Sequence, residues 1–256
     1  HSTKNKMNIK LLSIDLSNYC SKKCPFCYNH STREGNIMWS PQEVISFAQD
    51  CIRNGVEAIS LGGGEPFEYE GVFDVINALQ PEAYLSVTSN GLPLGKLISW
   101  DELAKHRPDK IHLSLHNPQS EEELERVIHQ MEKIREIGIK PGCNLLVSSN
   151  TIEDSRRAYE RLCEVINEEQ IIVIPQRFSK TPNPKELLYV AGGRPFQSPS
   201  CILGCKRPEG FASVSWNRMV NSCSYAPGKQ PLESLDFKGM MDALNKINFK
   251  SCINNE

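Results

Sequence analysis

A chain of 256 residues, 39% of them hydrophobic and 23% charged, is long enough to bury one full core and carry a small appendage. It has no need of disulfides to hold itself together. A formal net charge of −2 provides no basic stripe of the kind that nucleic-acid binding requires, so a nucleic-acid partner is disfavoured. No run of about eighteen apolar residues and no signal-peptide pattern occurs, which argues against a membrane partner and for a soluble, cytoplasmic protein.

From residue 8 to about 190 the chain alternates strand-like and helix-like segments, the pattern of a parallel sheet with covering helices. Strands are expected at 9–16, 56–61, 83–88, 110–116, 143–148 and 171–175, each in a β-branched or leucine-rich run. Helices are expected at 41–54, 71–79, 99–106, 120–137 and 152–167, with Ser40-Pro41 and Ser120 as N-terminal signals. Prolines at 182, 184 and 195 leave room only for a short sixth helix over 184–190.

Ten cysteines in a chain without a secretion signal read as ligands and buried thiols rather than as disulfides. Cys51 and Cys163 fall on apolar helix faces and are expected in the core. Cys143 is expected to begin the fifth strand, at the end away from any chemistry. Cys20, Cys24 and Cys27 differ from these, because they form one C-x3-C-x2-C run directly after the first strand. Three soft thiolates leave one position of a four-iron cluster open, whereas structural zinc takes four protein ligands. A zinc knuckle is the alternative reading of the same triplet.

Roughly forty residues later, Gly62-Gly63-Gly64-Glu65-Pro66 follows the second strand. Consecutive glycines permit positive φ and close approach of backbone to a ligand.

Together the two motifs resemble the radical S-adenosylmethionine (SAM) superfamily, in which such a loop holds a [4Fe–4S] cluster. The resemblance implies a partial (β/α)6 barrel over residues 8–196. It further implies that SAM chelates the open iron through its amino and carboxylate groups, and that an electron from the cluster splits it to a 5′-deoxyadenosyl radical. Phe26 fits the aromatic position before the third cysteine. Gly63, Gly64, Glu65 and Pro66 would grip the SAM amino group, with Glu65 its charged partner.

In β/α barrels functional groups come from the C-terminal ends of the strands. By the resemblance, Ser89 and Asn90 after strand three would touch the methionyl part or ribose of SAM. Ser114 and His116 on the polar face of strand four and Asn144 on strand five become ribose or substrate contacts. His112, on the same face, reads as a satisfied core histidine. The strand-five fit is loose, because the glycine-isoleucine-glycine pattern of many members is missing.

After about residue 196 the periodicity stops, and Cys201, Cys205, Cys223 and Cys252 follow. A hairpin is expected over 211–223, with Asn217-Arg218 where Asn-Gly would be usual. The seventeen-residue gap between Cys205 and Cys223 resembles the twitch module related to the SPASM group. The resemblance implies an auxiliary [4Fe–4S] cluster in a hairpin-plus-helix module over 197–256. A zinc site, or a three-ligand cluster with an open iron, uses the same residues. The function so implied is hydrogen-atom abstraction for oxidative modification of a ribosomally made peptide, fed by a donor such as flavodoxin or ferredoxin. A sugar or aminocyclitol dehydrogenase or epimerase, a glycyl-radical activase, and a non-catalytic iron–sulfur carrier or zinc-stabilised module are the alternatives.

Overall fold

The computed structural model describes residues 7–22, 24, 27, 29–194 and 206–251. In chain order it contains β1 (Leu11–Asp15), α1 (Pro41–Arg53), β2 (Ala58–Gly62), α2 (Val72–Leu79), β3 (Tyr84–Ser89), α3 (Trp100–Lys105), β4 (Lys110–Leu115) and α4 (Glu121–Glu136). It continues with β5 (Lys140–Val147), α5 (Ile152–Cys163), β6 (Ile171–Pro175), α6 (Pro184–Val190), β7 (Phe211–Val214), β8 (Met219–Asn221), β9 (Gln230–Pro231) and α7 (Phe237–Lys246). The six expected β/α units are all present, and the fold is α/β with a parallel sheet that stays open, β6 and β9 being its terminal strands.

Two compact units divide the chain, one of His1–Ser86 with Lys206–Glu256 and one of Val87–Cys205. In the first, β1 pairs in parallel with β2 on one side and with β7 on the other, and β7, β8 and β9 continue antiparallel. The register Leu12↔Ile59 and Leu12↔Ala212, then Ile14↔Leu61 and Ile14↔Val214, makes one face fully apolar, and all six side chains are buried. Ser13, Ser60 and Ser213 share the other face. Helix α1 begins where the sequence indicates, because Ser40 and Glu43 form a reciprocal capping box with Pro41 at the first helical position. Its buried side is Val44, Phe47, Ala48 and Cys51, and burial pushes the Cys51 thiol up to about 12.

In the second unit β4, β5 and β6 run parallel in register, with Leu113 opposite Cys143 and Cys143 opposite Ile171. Helix α4 packs on β4 and β5, and α5 packs on β5. Cys143 is therefore in the middle of its strand, not at its start. Strand β5 begins at Lys140, three residues earlier than the sequence indicates. Pro141 and Gly142 disguise that opening turn of strand, since neither residue type favours a sheet interior. Proline is tolerated there because it lies next to the first residue of the strand. Buried completely among apolar neighbours, the Cys143 thiol is held protonated.

The hairpin expected over 211–223 forms between β7 and β8. Arg218 occupies its turn at φ +61°, the left-handed conformation that glycine would adopt freely. The Arg218 guanidinium is held by Glu43 at 2.7 Å and by the Met38 carbonyl at 2.5 Å, and it lies over the Trp39 ring. Trp39, itself buried, donates from Nε1 to the Ser215 carbonyl at 3.2 Å.

Candidate functional site

The first unit brings the cysteine loop and the glycine turn together. Because β1 and β2 are parallel neighbours, both segments leave the sheet at the same end, and Leu16 N–H still donates to the Gly62 carbonyl at 3.0 Å. Beyond that point the two are laced by further bonds. Glu65 N–H donates to the Tyr19 carbonyl at 2.9 Å, and Gly64 N–H donates to Ser31 Oγ at 3.1 Å. Asn29 Nδ2 links Ser31 Oγ to the Ser17 carbonyl, and the Cys20 N–H donates to the Thr32 carbonyl at 2.9 Å.

Two glycines make this approach possible. Gly63 and Gly64 lie at φ +70° and +61°, and a Cβ on either would stand 2.2 Å from Asp15 Cβ or the Tyr19 carbonyl oxygen respectively. The spacing read in the sequence thus has a steric cause: the turn must press flat against the cysteine loop.

Glu65 is 1% exposed, and its Oε2 accepts from Phe67 N–H at 3.0 Å, capping the 3-10 turn Pro66–Glu68 that Pro66 opens. Sequence reasoning missed Glu68. Its Oε2 accepts from the Ser21 N–H at 3.1 Å and its Oε1 from Ser21 Oγ at 2.5 Å. Arg33 Nε secures the Ser21 carbonyl at 3.0 Å. No motif marks Glu68, and only the shape of the turn carries it back to the cysteines.

Cys20, Cys24 and Cys27 form no disulfide. Burial above all, with the charges of Glu65 and Glu68 adding to it, pushes the Cys20 thiol up to about 11. A thiolate at that position therefore calls for a cationic centre beside it, and metal binding supplies one while releasing the proton. Among the described residues no three His, Cys, Asp or Glu side chains converge where a single metal ion could sit. A four-iron cluster takes each thiolate on a separate iron, so three thiols in this spacing fit it by their donor chemistry. Phe26, Cys201, Cys205 and Cys252 lie outside the described residues. Cys223, half-buried and free, follows β8 directly. The buried Asn221 fixes the start of its loop by donating to the Ala226 carbonyl and accepting from Ser222 N–H.

The second unit holds the other candidates. Ser89 Oγ and Asn90 Oδ1 accept from Gly91 N–H and Leu92 N–H at 2.9 Å each, so both side chains shape the turn after β3. Helix α4 holds that turn from below. Gln130 Nε2 donates to the Gly91 carbonyl at 2.8 Å, and Arg126 Nη1 donates to the Asn90 carbonyl at 3.1 Å. The same helix holds the end of β4, since Glu123 accepts from His116 N–H at 2.9 Å and from Asn117 Nδ2 at 2.8 Å. These α4 residues also escaped the sequence reading, because charged and amide groups on a helix read as its solvent face.

Ser114, paired with Asn144, shares a sheet face with His112, while Ile111, Leu113 and Leu115 are buried on the other. Ser114, His116 and Asn144 are each partly exposed. His112 is not the satisfied core histidine expected. Its Nδ1 and the Asn144 Oδ1 are both buried without a hydrogen-bond partner, although Asn144 is near enough to raise the imidazole slightly. Burial first and the Lys110 charge second outweigh that and push His112 down to about 4.

Residues 14–174 match the family model of the Radical SAM superfamily, and the chain belongs to that superfamily. Membership implies a [4Fe–4S] cluster and SAM as cofactors. Among curated relatives, the chain is 28% identical over 142 residues to a probable GTP 3′,8-cyclase of Methanocella arvoryzae, covering 52% of this chain and 46% of the relative. It is 24% identical over 161 residues to the GTP 3′,8-cyclase of Clostridium perfringens, covering 57% and 49%. The chain thus spans about half the length of these relatives. Among solved structures, Streptococcus suis SuiB bound to its precursor peptide SuiA superposes with a TM-score of 0.69 at 19% identity, covering 85% of this chain and 60% of that one. Native anSMEcpe with bound AdoMet gives 0.62 at 15%, covering 91% and 80%. These two share the fold, a partial barrel.

Proposed function

We propose that this protein reductively cleaves SAM and abstracts a hydrogen atom from a ribosomally made peptide, leading to its oxidative modification. The observation that carries the first half is the lacing of Tyr19, Ser21 and Ser31, which flank the first cysteine ligand, onto Gly64, Glu65 and Glu68 of the glycine turn. When bound, the cluster and SAM supply the 5′-deoxyadenosyl radical.

The chain's own residues do the rest. Cys20, Cys24 and Cys27 would hold three irons, and Gly63 and Gly64 would let the backbone approach the SAM amino group. Glu65, buried and capping its turn, would turn its carboxylate toward that amino group. Ser89, Asn90, Ser114, His116 and Asn144 are proposed to line the nucleoside and substrate side. Cys223, with Cys201, Cys205 and Cys252, would ligate an auxiliary [4Fe–4S] cluster, which when bound would supply a one-electron acceptor for the oxidative outcome. A small one-electron carrier such as flavodoxin or ferredoxin would reduce the SAM-binding cluster.

A peptide substrate draws support from the shared fold with a peptide-bound relative. A second reading, chemistry on a nucleotide, draws support from the GTP 3′,8-cyclases among the relatives. The deciding experiment measures iron, sulfide and 5′-deoxyadenosine release under dithionite after anaerobic reconstitution. About eight irons per chain are expected, with release abolished in Cys24→Ala and total iron lowered in Cys223→Ala. Release that persists in Cys24→Ala removes the SAM-site assignment, and unchanged iron in Cys223→Ala removes the auxiliary cluster. Adding GTP separates the substrate readings: GTP that is consumed with 5′-deoxyadenosine release overturns the peptide reading.

A further inference from the structure

Directly after the first proposed ligand, Ser21 offers two hydrogen-bond donors, its backbone N–H and its hydroxyl. In an iron–sulfur protein such donors commonly turn to the cluster sulfurs, and each bond to sulfur makes the cluster easier to reduce. Here both are taken by one carboxylate: Glu68 Oε2 holds the N–H at 3.1 Å and Oε1 holds the hydroxyl at 2.5 Å. The arrangement is fixed from both sides. Glu68 ends a 3-10 turn that Pro66 opens and Glu65 caps, and Arg33 pins the Ser21 carbonyl at 3.0 Å. Ser21 follows Cys20 directly in the chain, so the bonds it makes to Glu68 bring that carboxylate next to the ligand residue.

We propose that Glu68 is a positioning residue that tunes the SAM-binding cluster toward stronger reducing power, by withholding the Ser21 donors from its sulfurs and by placing a carboxylate beside Cys20. The inference rests on the reading of Cys20 as a cluster ligand. Both effects act in one direction. A negative charge opposes the uptake of an electron, and so does the loss of donors to sulfur. At an effective dielectric of about 20, a unit charge even about 10 Å from a redox centre shifts its equilibrium by about tenfold. The reaction concerned is one-electron reduction of the cluster by a low-potential donor, with the electron passed on to the sulfonium of SAM. A more reducing cluster favours that second transfer.

The test uses the reconstituted full chain and the midpoint potential of the paramagnetic signal that changes on adding SAM, which distinguishes this cluster from any other. Glu68→Gln removes the charge and is expected to make reduction about tenfold easier at a fixed poise, a rise of 59 mV for one electron. Glu68→Ala, which also frees both donors, should shift it further. Glu68→Asp should keep iron content and stay nearest the unaltered protein. Potentials of Glu68→Gln and Glu68→Ala within twofold of the unaltered protein overturn the proposal. Loss of cluster loading in all three variants, Asp included, also overturns it and makes Glu68 purely structural. Cys20→Ala is the separate control: if it keeps the SAM-responsive signal, the ligand reading itself has failed, whatever Glu68 does.

Discussion

Gly64 shows how a single residue decides whether the site exists. Its φ of +61° is strained for any L side chain, and an added Cβ would meet the Tyr19 carbonyl at 2.2 Å and Ser17 Oγ at 2.7 Å. The carbonyl belongs to backbone and cannot swing away. Gly64→Ala should therefore cost about 3 kcal/mol or more, from left-handed strain and the forced separation of the two loops. Denaturant unfolding of the apo protein, followed by iron analysis, checks this: a stable variant with full iron would show that the turn has slack the structure lacks. At His112 the effect of burial reads out as a pH dependence. The folded state keeps the imidazole neutral down to about 4, whereas the unfolded chain protonates it near its ordinary value of about 6.5. The unfolded state thus binds more protons between those values. Stability is fully present above about pH 6.5 and falls with the pH through that window, by roughly 1.4 kcal/mol per unit at most. His112→Gln should flatten this slope between pH 4 and 6.5. An unaltered slope would assign the pH dependence to other groups.

Among elements, α4 and the β7–β8 hairpin do more than their sequences suggest. Helix α4 buries Leu124, Val127, Met131 and Ile134 and uses its flanking polar groups to hold the ends of β3 and β4. The hairpin turn presents the opposite case, a residue type that its backbone disfavours. Arg218 accepts a left-handed conformation because its side chain reaches Glu43, the Met38 carbonyl and the Trp39 ring. The two contributions separate by substitution. Arg218→Ala loses the side-chain contacts and keeps the strain, for a cost of about 2 kcal/mol; Arg218→Gly loses the same contacts but relaxes the backbone, and should cost about 1 kcal/mol less. Unfolding curves of both variants decide the matter. If glycine is the more destabilising of the two, backbone strain is not what Arg218 overcomes.

At the scale of the molecule, the strands β7, β8 and β9 near the C-terminal end are built into the sheet with the first strand. Strand β7 pairs along β1 from Leu11↔Phe211 to Ile14↔Val214, covering what would otherwise be an open edge beside the cysteine loop. An uncovered parallel edge of buried apolar residues invites aggregation. A chain ending at residue 205 should therefore aggregate or lose its cooperative transition. A soluble fragment with unchanged unfolding would show that β7 is an accessory. Among the described residues no helix is long and apolar enough to cross a membrane.

The order of the six β/α units, the N-terminal caps at Ser40 and Ser120, and the pairing of C-x3-C-x2-C with the glycine turn were legible in the sequence. Each is written in residues close along the chain, through periodicity, capping chemistry or local spacing. Tertiary structure alone decided the contacts of Glu68 with Ser21, the work of Glu123, Arg126 and Gln130, the orphaned polar atoms of His112 and Asn144, and the place of β7 beside β1. The physical reason is the same in every case. A carboxylate or amide on a helix or turn looks like any solvated polar group until the chain returns, and only that return fixes which donor it meets and whether water is shut out.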